Sequence, residues 1–180
     1  MEPIIVHEKK FVPFLTSDVL QHRIRVMAAE ISRDLAGKEP LLLSVLNGSF
    51  MFASDLMKSM TIPLEISFVK MASYHGTRSS GAVRCLIGLD EKISDRHIVI
   101  VEDIIDTGVT MAHLLSDLQE FHPASIKIAA LLFKPEAFSG TFEIDYCGFS
   151  IPNNFVVGYG LDYDGHGRNY PDIYTLETKT

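Results

Sequence analysis

The sequence predicts an α/β fold with a mostly parallel central sheet flanked by helices, and three observations carry that expectation. Short apolar runs such as "LLLSVL" (41 to 46), "HIVIVED" (97 to 103) and "SIKIAALLFK" (125 to 134) have the nearly unbroken hydrophobicity of strands buried on both faces. Other segments space their apolar residues by three and four, the period of an amphipathic helix. Strand and helix alternate along the chain, a rhythm that requires right-handed crossovers and puts helices on the faces of the sheet. With 180 residues and 47% hydrophobic content, the chain can bury a sizeable core as one domain over 1 to 180. No repeat, low-complexity segment or Pro-rich linker marks a boundary.

At the amino end, "MEPIIVHEKKF" has only a three-residue apolar run before charges, too short for a signal-peptide core. No later segment approaches a membrane span, so the expected location is the cytoplasm. Residues 17 to 35 place Leu20, Ile24, Met27, Ile31 and Leu35 on one helical face, with Thr16 or Ser17 as the cap and Gly37 after the end. "LLLSVL" follows as a buried strand ended by "NGS", then a second helix with Ala53, Leu56, Met57 and Met60 on one side. "IPLEISFVKM" reads as a strand leading into the polar stretch "ASYHGTRSSGAV", and "VRCLIG" returns as another strand. After "HIVIVED", Met111, Leu114, Leu115, Leu118 and Phe121 form a helical stripe, and "SIKIAALLFK" is again a strand.

Charge and cysteine content exclude several classes. A net charge of −7 without a dense Lys/Arg cluster excludes a nucleic-acid groove, which needs a basic face. It permits a phosphorylated small molecule, provided a cation or backbone amides supply positive potential. Cys85 and Cys147 stand alone, and the seven histidines lack metal-ligand spacing, so neither a disulfide framework nor a zinc site is indicated. Cys147, in "YCGFSI", reads as a small core residue.

The stretch "VEDIIDTGVT" (101 to 110) carries the chemistry. In an open α/β sheet ligands collect beyond the carboxyl ends of strands, which is where "HIVIV" delivers these residues. Burying two unpaired carboxylates is costly, so Glu102 and Asp103 are expected to face water, sugar hydroxyls or a metal ion. In "DTGVT", Gly108 relieves the turn, Thr107 and Thr110 bring hydroxyls, and amides at the start of the next helix form an anion site suited to phosphate. Diol-binding acids beside a phosphate cradle describe a ribose 5-phosphate pocket. The plainer alternative is a solvated strand end followed by a capped helix.

The string closely resembles the 5-phosphoribosyl 1-pyrophosphate signature of type I phosphoribosyltransferases, and "VEDIIDTG" resembles the hypoxanthine-guanine branch. The resemblance extends over most of the chain and implies that fold, with a small hood and a flexible lid loop. It assigns Glu102, Asp103, Thr107, Gly108, Val109 and Thr110 to the phosphoribosyl group, and Asp106 to acid/base work near N7 of the base. "VLNGSF" resembles the pyrophosphate loop, implying a cis peptide at Leu46–Asn47 and amides at Asn47 and Gly48 turned to the diphosphate, with Arg168 as a further contact. "SYHGTRSSG" (73 to 81) resembles the lid, beginning at Ser73 and Tyr74. Lys134 falls where the family holds the 6-oxo group of a purine. In "NNFVVGYGLDY", Phe155 would stack on the base, the backbone of Val156 and Asp162 would read its edge, and Asp162 would also join Glu102 and Asp103 around magnesium. The implied partners are the phosphoribosyl donor and 6-oxopurine bases, acting in a homodimer or homotetramer.

Phe155 alone is an ordinary core aromatic, and Lys134 alone a solvated strand end. "DYDGHG" suggests a calcium loop, but counting twelve from Asp162 puts Ile173 at the closing position that needs Glu. A Walker loop is absent. A regulator that binds the phosphoribosyl donor without consuming it is the competing function; the retained Asp106, Lys134 and Phe155 and the lack of a DNA-binding segment weigh against it. Two departures from the family bear on pyrophosphate affinity: Asn47 and Val109 stand where many relatives carry lysine.

Overall fold

The computed structural model describes residues 2 to 73, 83 to 87 and 93 to 178. A six-stranded sheet forms the centre, built from β3 (Leu41–Leu46), β4 (Glu65–Ser73), β5 (Val83–Ile87), β6 (His97–Ile105), β7 (Ser125–Phe133) and β8 (Tyr146–Ser150). Their order is β5-β4-β3-β6-β7-β8, and every pairing is parallel except that of β4 with β5. The mostly parallel sheet expected from the sequence is therefore present.

Three helices cover it: α1 (Ser17–Asp34), α2 (Phe50–Ser59) and α3 (Val109–Gln119). Alternate residues along the central strands feed two separate cores, as the period of two requires. Leu42, Val99, Val101, Ala129 and Leu131 pack with α1 and α2, through Leu20, Ile24, Met27, Ile31, Phe52 and Leu56. Leu43, Ile98, Ile100, Ile128 and Ala130 pack with α3, through Met111, Leu114 and Leu118. Each of the larger side chains, the two alanines apart, contributes roughly 1.5–3 kcal/mol when fully buried. α1 starts as expected, with the Thr16 hydroxyl accepting from the Val19 amide at 3.3 Å.

The expected third helix runs two residues too far. α3 ends at Gln119, and Phe121, counted into its apolar stripe, lies beyond the end and is exposed. His122, at a positive φ of 51°, and Pro123 turn the chain away there. Cys147 is half-buried in β8 rather than a full core residue, and burial raises its thiol pKa.

A second, four-stranded antiparallel sheet stands apart from the first in hydrogen bonding: β1 (Ile4–Val6), β2 (Lys9–Leu15), β10 (Ile173–Leu176) and β9 (Val156–Val157). It joins the two ends of the chain around Val6, Phe11, Val157 and Tyr174, and it is the hood that the resemblance implies.

Chain direction fixes where a ligand can sit. From β3 the chain crosses to β4 on one side, whereas β6 lies on the other, so the crevice opens beyond the carboxyl ends of β3 and β6.

Candidate active site

Three segments meet at that crevice: residues 46 to 49 after β3, residues 102 to 110 at the end of β6, and residues 158 to 168 from the hood. Gly48 sits among all three. A side chain there would run into the Asp103 carboxyl, and a side chain at Gly160 would run into the Gly48 carbonyl. Gly160 also holds a φ of 97°, so glycine is required for its conformation as well as for the close approach. The Leu46–Asn47 peptide is cis, as the resemblance implies, and Asn47 is exposed in the turn between β3 and α2.

β6 runs two residues beyond the strand read from "HIVIVED". It continues to Ile105, and Asp103 is buried rather than facing water. The cause is tertiary: Gly48 and the hood close over the strand end. Glu102 and Asp103 are hydrogen-bonded to each other through their carboxyls, and burial pushes both pKa values up, Glu102 well above the usual range with the Asp103 charge adding to the effect. The shared hydrogen bond raises Glu102 and lowers Asp103. The positive charge felt by Asp103 is that of Arg168. That guanidinium is already engaged, donating to the Gly160 carbonyl at 2.7 Å and pairing with Asp162 at 2.7 Å.

This pair sets a trade between stability and binding. Well below the ordinary carboxylate pKa of 4.5 both folded and unfolded Glu102 are protonated; as pH rises through that value the unfolded chain releases its proton first, so the folded state loses relative stability. Glu102→Gln is therefore expected to melt higher than the wild type at pH 8 without ligands, by about 2–4 °C per kcal/mol relieved. The gap should close toward pH 4.5, and affinity for the phosphoribosyl donor should fall. Melting curves across pH with donor titrations check this; a variant that melts lower at pH 8 would contradict it.

Beyond Glu102 the chain makes a tight turn into α3. A cavity of about 150 Å³ is lined by Glu102 and by residues 104 to 111, bringing together Asp106, Thr107, Gly108, Val109 and Thr110. Gly108, at a φ of 84°, is the N-cap of α3, so the first amides after it have no partner within the helix; that of Val109 donates to the Thr107 hydroxyl at 3.4 Å, at the wall of the cavity. Val109, at the position where relatives carry lysine, is 51% exposed.

On the neighbouring strand, Lys134 follows β7 directly and is buried, its amide donating to the Ile105 carbonyl. Its ammonium lies 3.1 Å from the Asp106 carboxylate, which remains half exposed. The resemblance implies a role for each residue but not their contact across 28 positions. Phe155 is 44% exposed and held edge-on by Tyr163 at 5.7 Å, whose hydroxyl bonds Glu8. An aromatic left open and braced from behind is available for stacking. Val156 is buried in β9.

Asp162 is not gathered with the acids of β6. Its carboxylate accepts from the Gly165 amide and pairs with Arg168, and among the described residues no three His, Cys, Asp or Glu side chains form a metal site. The Glu102–Asp103 pair nevertheless fits magnesium, which commonly takes one or two carboxylates and fills its other positions with substrate oxygens and water. Ser73 ends β4, whereas Tyr74 and the rest of the expected lid to residue 81 lie outside the described residues. Residues 135 to 144, which the sequence reading passed over, pack against the outer side of the 106 to 110 turn.

A carboxylate pair, a helix-start anion cradle and a Lys/Asp pair around one crevice define an α/β protein built to hold a phosphorylated sugar beside a base. Comparison with known proteins agrees. Residues 16 to 164 match the family described as "Phosphoribosyl transferase domain". A hypoxanthine-guanine phosphoribosyltransferase of Streptococcus pneumoniae is 42% identical over 164 residues, 91% of this chain and 91% of the relative. One from Mycobacterium avium is 42% identical over 172 residues, covering 92% and 85%. Among solved structures, a hypoxanthine phosphoribosyltransferase of Staphylococcus aureus superposes with a TM-score of 0.87 at 38% identity, covering 92% of this chain and 90% of that one. The chain belongs to the phosphoribosyl transferase domain family, in its hypoxanthine-guanine phosphoribosyltransferase branch.

Proposed function

We propose that the protein moves the 5-phosphoribosyl group from 5-phosphoribosyl 1-pyrophosphate to N9 of hypoxanthine, and of guanine, giving IMP or GMP and pyrophosphate. It is a pentosyl transferase of purine salvage, and we place it in the cytoplasm as a single phosphoribosyltransferase domain that assembles as a homodimer or homotetramer. The observation that carries this reading is the Lys134 ammonium held 3.1 Å from the Asp106 carboxylate. A cationic donor beside an acidic acceptor matches the 6-oxo group and the N7 proton, which share one edge of a 6-oxopurine. Adenine offers a donor at position 6 and is disfavoured.

The reaction is displacement at the anomeric carbon through a transition state of oxocarbenium character. Thr107, Val109 and Thr110, with Gly108 shaping the turn, hold the 5′-phosphate through backbone amides and hydroxyls. Glu102 and Asp103 hold the ribose hydroxyls and would hold magnesium there. When bound, magnesium supplies positive charge to the departing diphosphate. Amides around Leu46, Asn47 and Gly48, with Arg168, take the pyrophosphate. Asp162 orients Arg168, and approaching the metal itself would require it to give up that ion pair. Asp106 receives the purine proton. Phe155 stacks on the base and the Val156 backbone reads its edge. The lid role of residues 73 to 81 rests on the resemblance alone.

IMP formation from hypoxanthine, followed by absorbance, tests the reading. Activity is expected to vanish with excess EDTA and return with added magnesium; IMP formation that persists in EDTA would overturn the role given to Glu102 and Asp103.

A further inference from the structure

The outer side of the 106 to 110 turn is closed by residues 135 to 144 of the connection between β7 and β8, to which the chemistry above assigns nothing. A side chain at Gly108 would meet the ring of Phe138, so the ring fills the space that the missing Cβ leaves. Gly140 abuts the same ring, and a side chain there would strike both Phe138 and Phe142. Phe138 stands edge-on to Phe133 at 5.2 Å and to Phe142 at 5.1 Å, so its orientation is fixed by two neighbouring rings. Beside it, the Ser139 amide donates to the Thr107 carbonyl at 3.1 Å, and the Ser139 hydroxyl donates to the same oxygen at 3.3 Å. The connection thus grips two successive residues, Thr107 and Gly108, where the direction of the amides that open α3 is decided.

We propose that Phe138, with Ser139 beside it, is a positioning residue that holds the 106 to 110 turn in its anion-binding form, so that recognition of a 5′-phosphate depends on a ring that does not line the cavity. The proposal rests on reading this turn as the 5′-phosphate cradle. Glycine at a left-handed φ has many other conformations open to it, and the packed ring removes that freedom on one side. Backbone amides recognise an anion only when they converge on it, so a tilted turn loses affinity for phosphate first. The base is held by Phe155 and by Lys134, which meets the turn at Asp106 and not at the Thr107–Gly108 step that Phe138 and Ser139 grip.

Binding of IMP and of inosine separates the two contributions, because the ligands differ only in the 5′-phosphate. Wild type is expected to prefer IMP. Phe138→Ala, which removes the ring, and Gly140→Ala, which pushes it, should each weaken IMP by about tenfold or more and leave inosine unchanged. Phe138→Leu, which restores bulk, should recover most of the loss. Should Phe138→Ala fail to fold, Gly140→Ala and Phe138→Leu still decide the matter. An unchanged IMP-to-inosine ratio in the variants, or equal losses for both ligands, overturns the proposal while leaving the cradle intact. A wild type that binds both ligands equally overturns the cradle reading and the proposal together.

Discussion

Asp106→Asn is expected to lower turnover by about 10²–10⁴-fold, the usual contribution of one positioned acid/base group, and to leave donor affinity unchanged. Asparagine keeps the shape and one acceptor oxygen, so Lys134 retains a partner and the turn keeps its geometry. What it loses is the ability to accept a proton. Asp106 is suited to that task by place: it is half exposed to the crevice, beside the Thr107–Gly108 turn, and next to the cation expected to hold the purine oxygen. Steady-state turnover with donor titrations measures both effects, and undiminished turnover would remove Asp106 from the mechanism.

Lys134→Gln is expected to act on base choice. Its ammonium is the buried member of the pair with Asp106, and a hydrogen bond to a charged group is worth about 1.5–3 kcal/mol, so kcat/KM for hypoxanthine should fall about 10–150-fold. Stability should suffer less than at a fully buried ion pair, because the Asp106 carboxylate left behind is open enough to be solvated. The glutamine amide can donate or accept, which ends the preference for an oxygen at position 6; the ratio of hypoxanthine to adenine use should narrow. Measuring kcat/KM for both bases decides it, and an unaltered ratio would count against the assignment.

The parts of the molecule that the sequence revealed are those governed by local pattern. β3, β6 and β7 announce themselves because strands buried on both faces must be apolar throughout. α1 does so through its four-three-four spacing and Thr16 cap. The hood strands did not, because β1, β9 and β10 are short, β2 carries two lysines and a proline among its apolar residues, and β2 finds β10 only across most of the chain's length. Burial of Asp103 was missed for a related reason: it is imposed by Gly48, and Gly48 in turn lies against Gly160. The glycines of "NGS" and "GYG" were the available signal, since a backbone that tolerates no side chain often marks a close approach. The contact of Lys134 with Asp106 follows from adjacent parallel strands, but only once β6 and β7 are known to be neighbours. The aromatic support of the phosphate turn lies in a connection without periodicity, so no pattern pointed to Phe138 or Phe142.

The central claim is that the crevice consumes the phosphoribosyl donor rather than merely binding it. Pyrophosphate release by the purified protein with magnesium and donor, in separate reactions with hypoxanthine, guanine, xanthine and adenine, tests it most directly. The account predicts release with hypoxanthine and guanine and little with adenine. Donor binding without pyrophosphate release from any base would contradict it and identify a sensor of the donor instead.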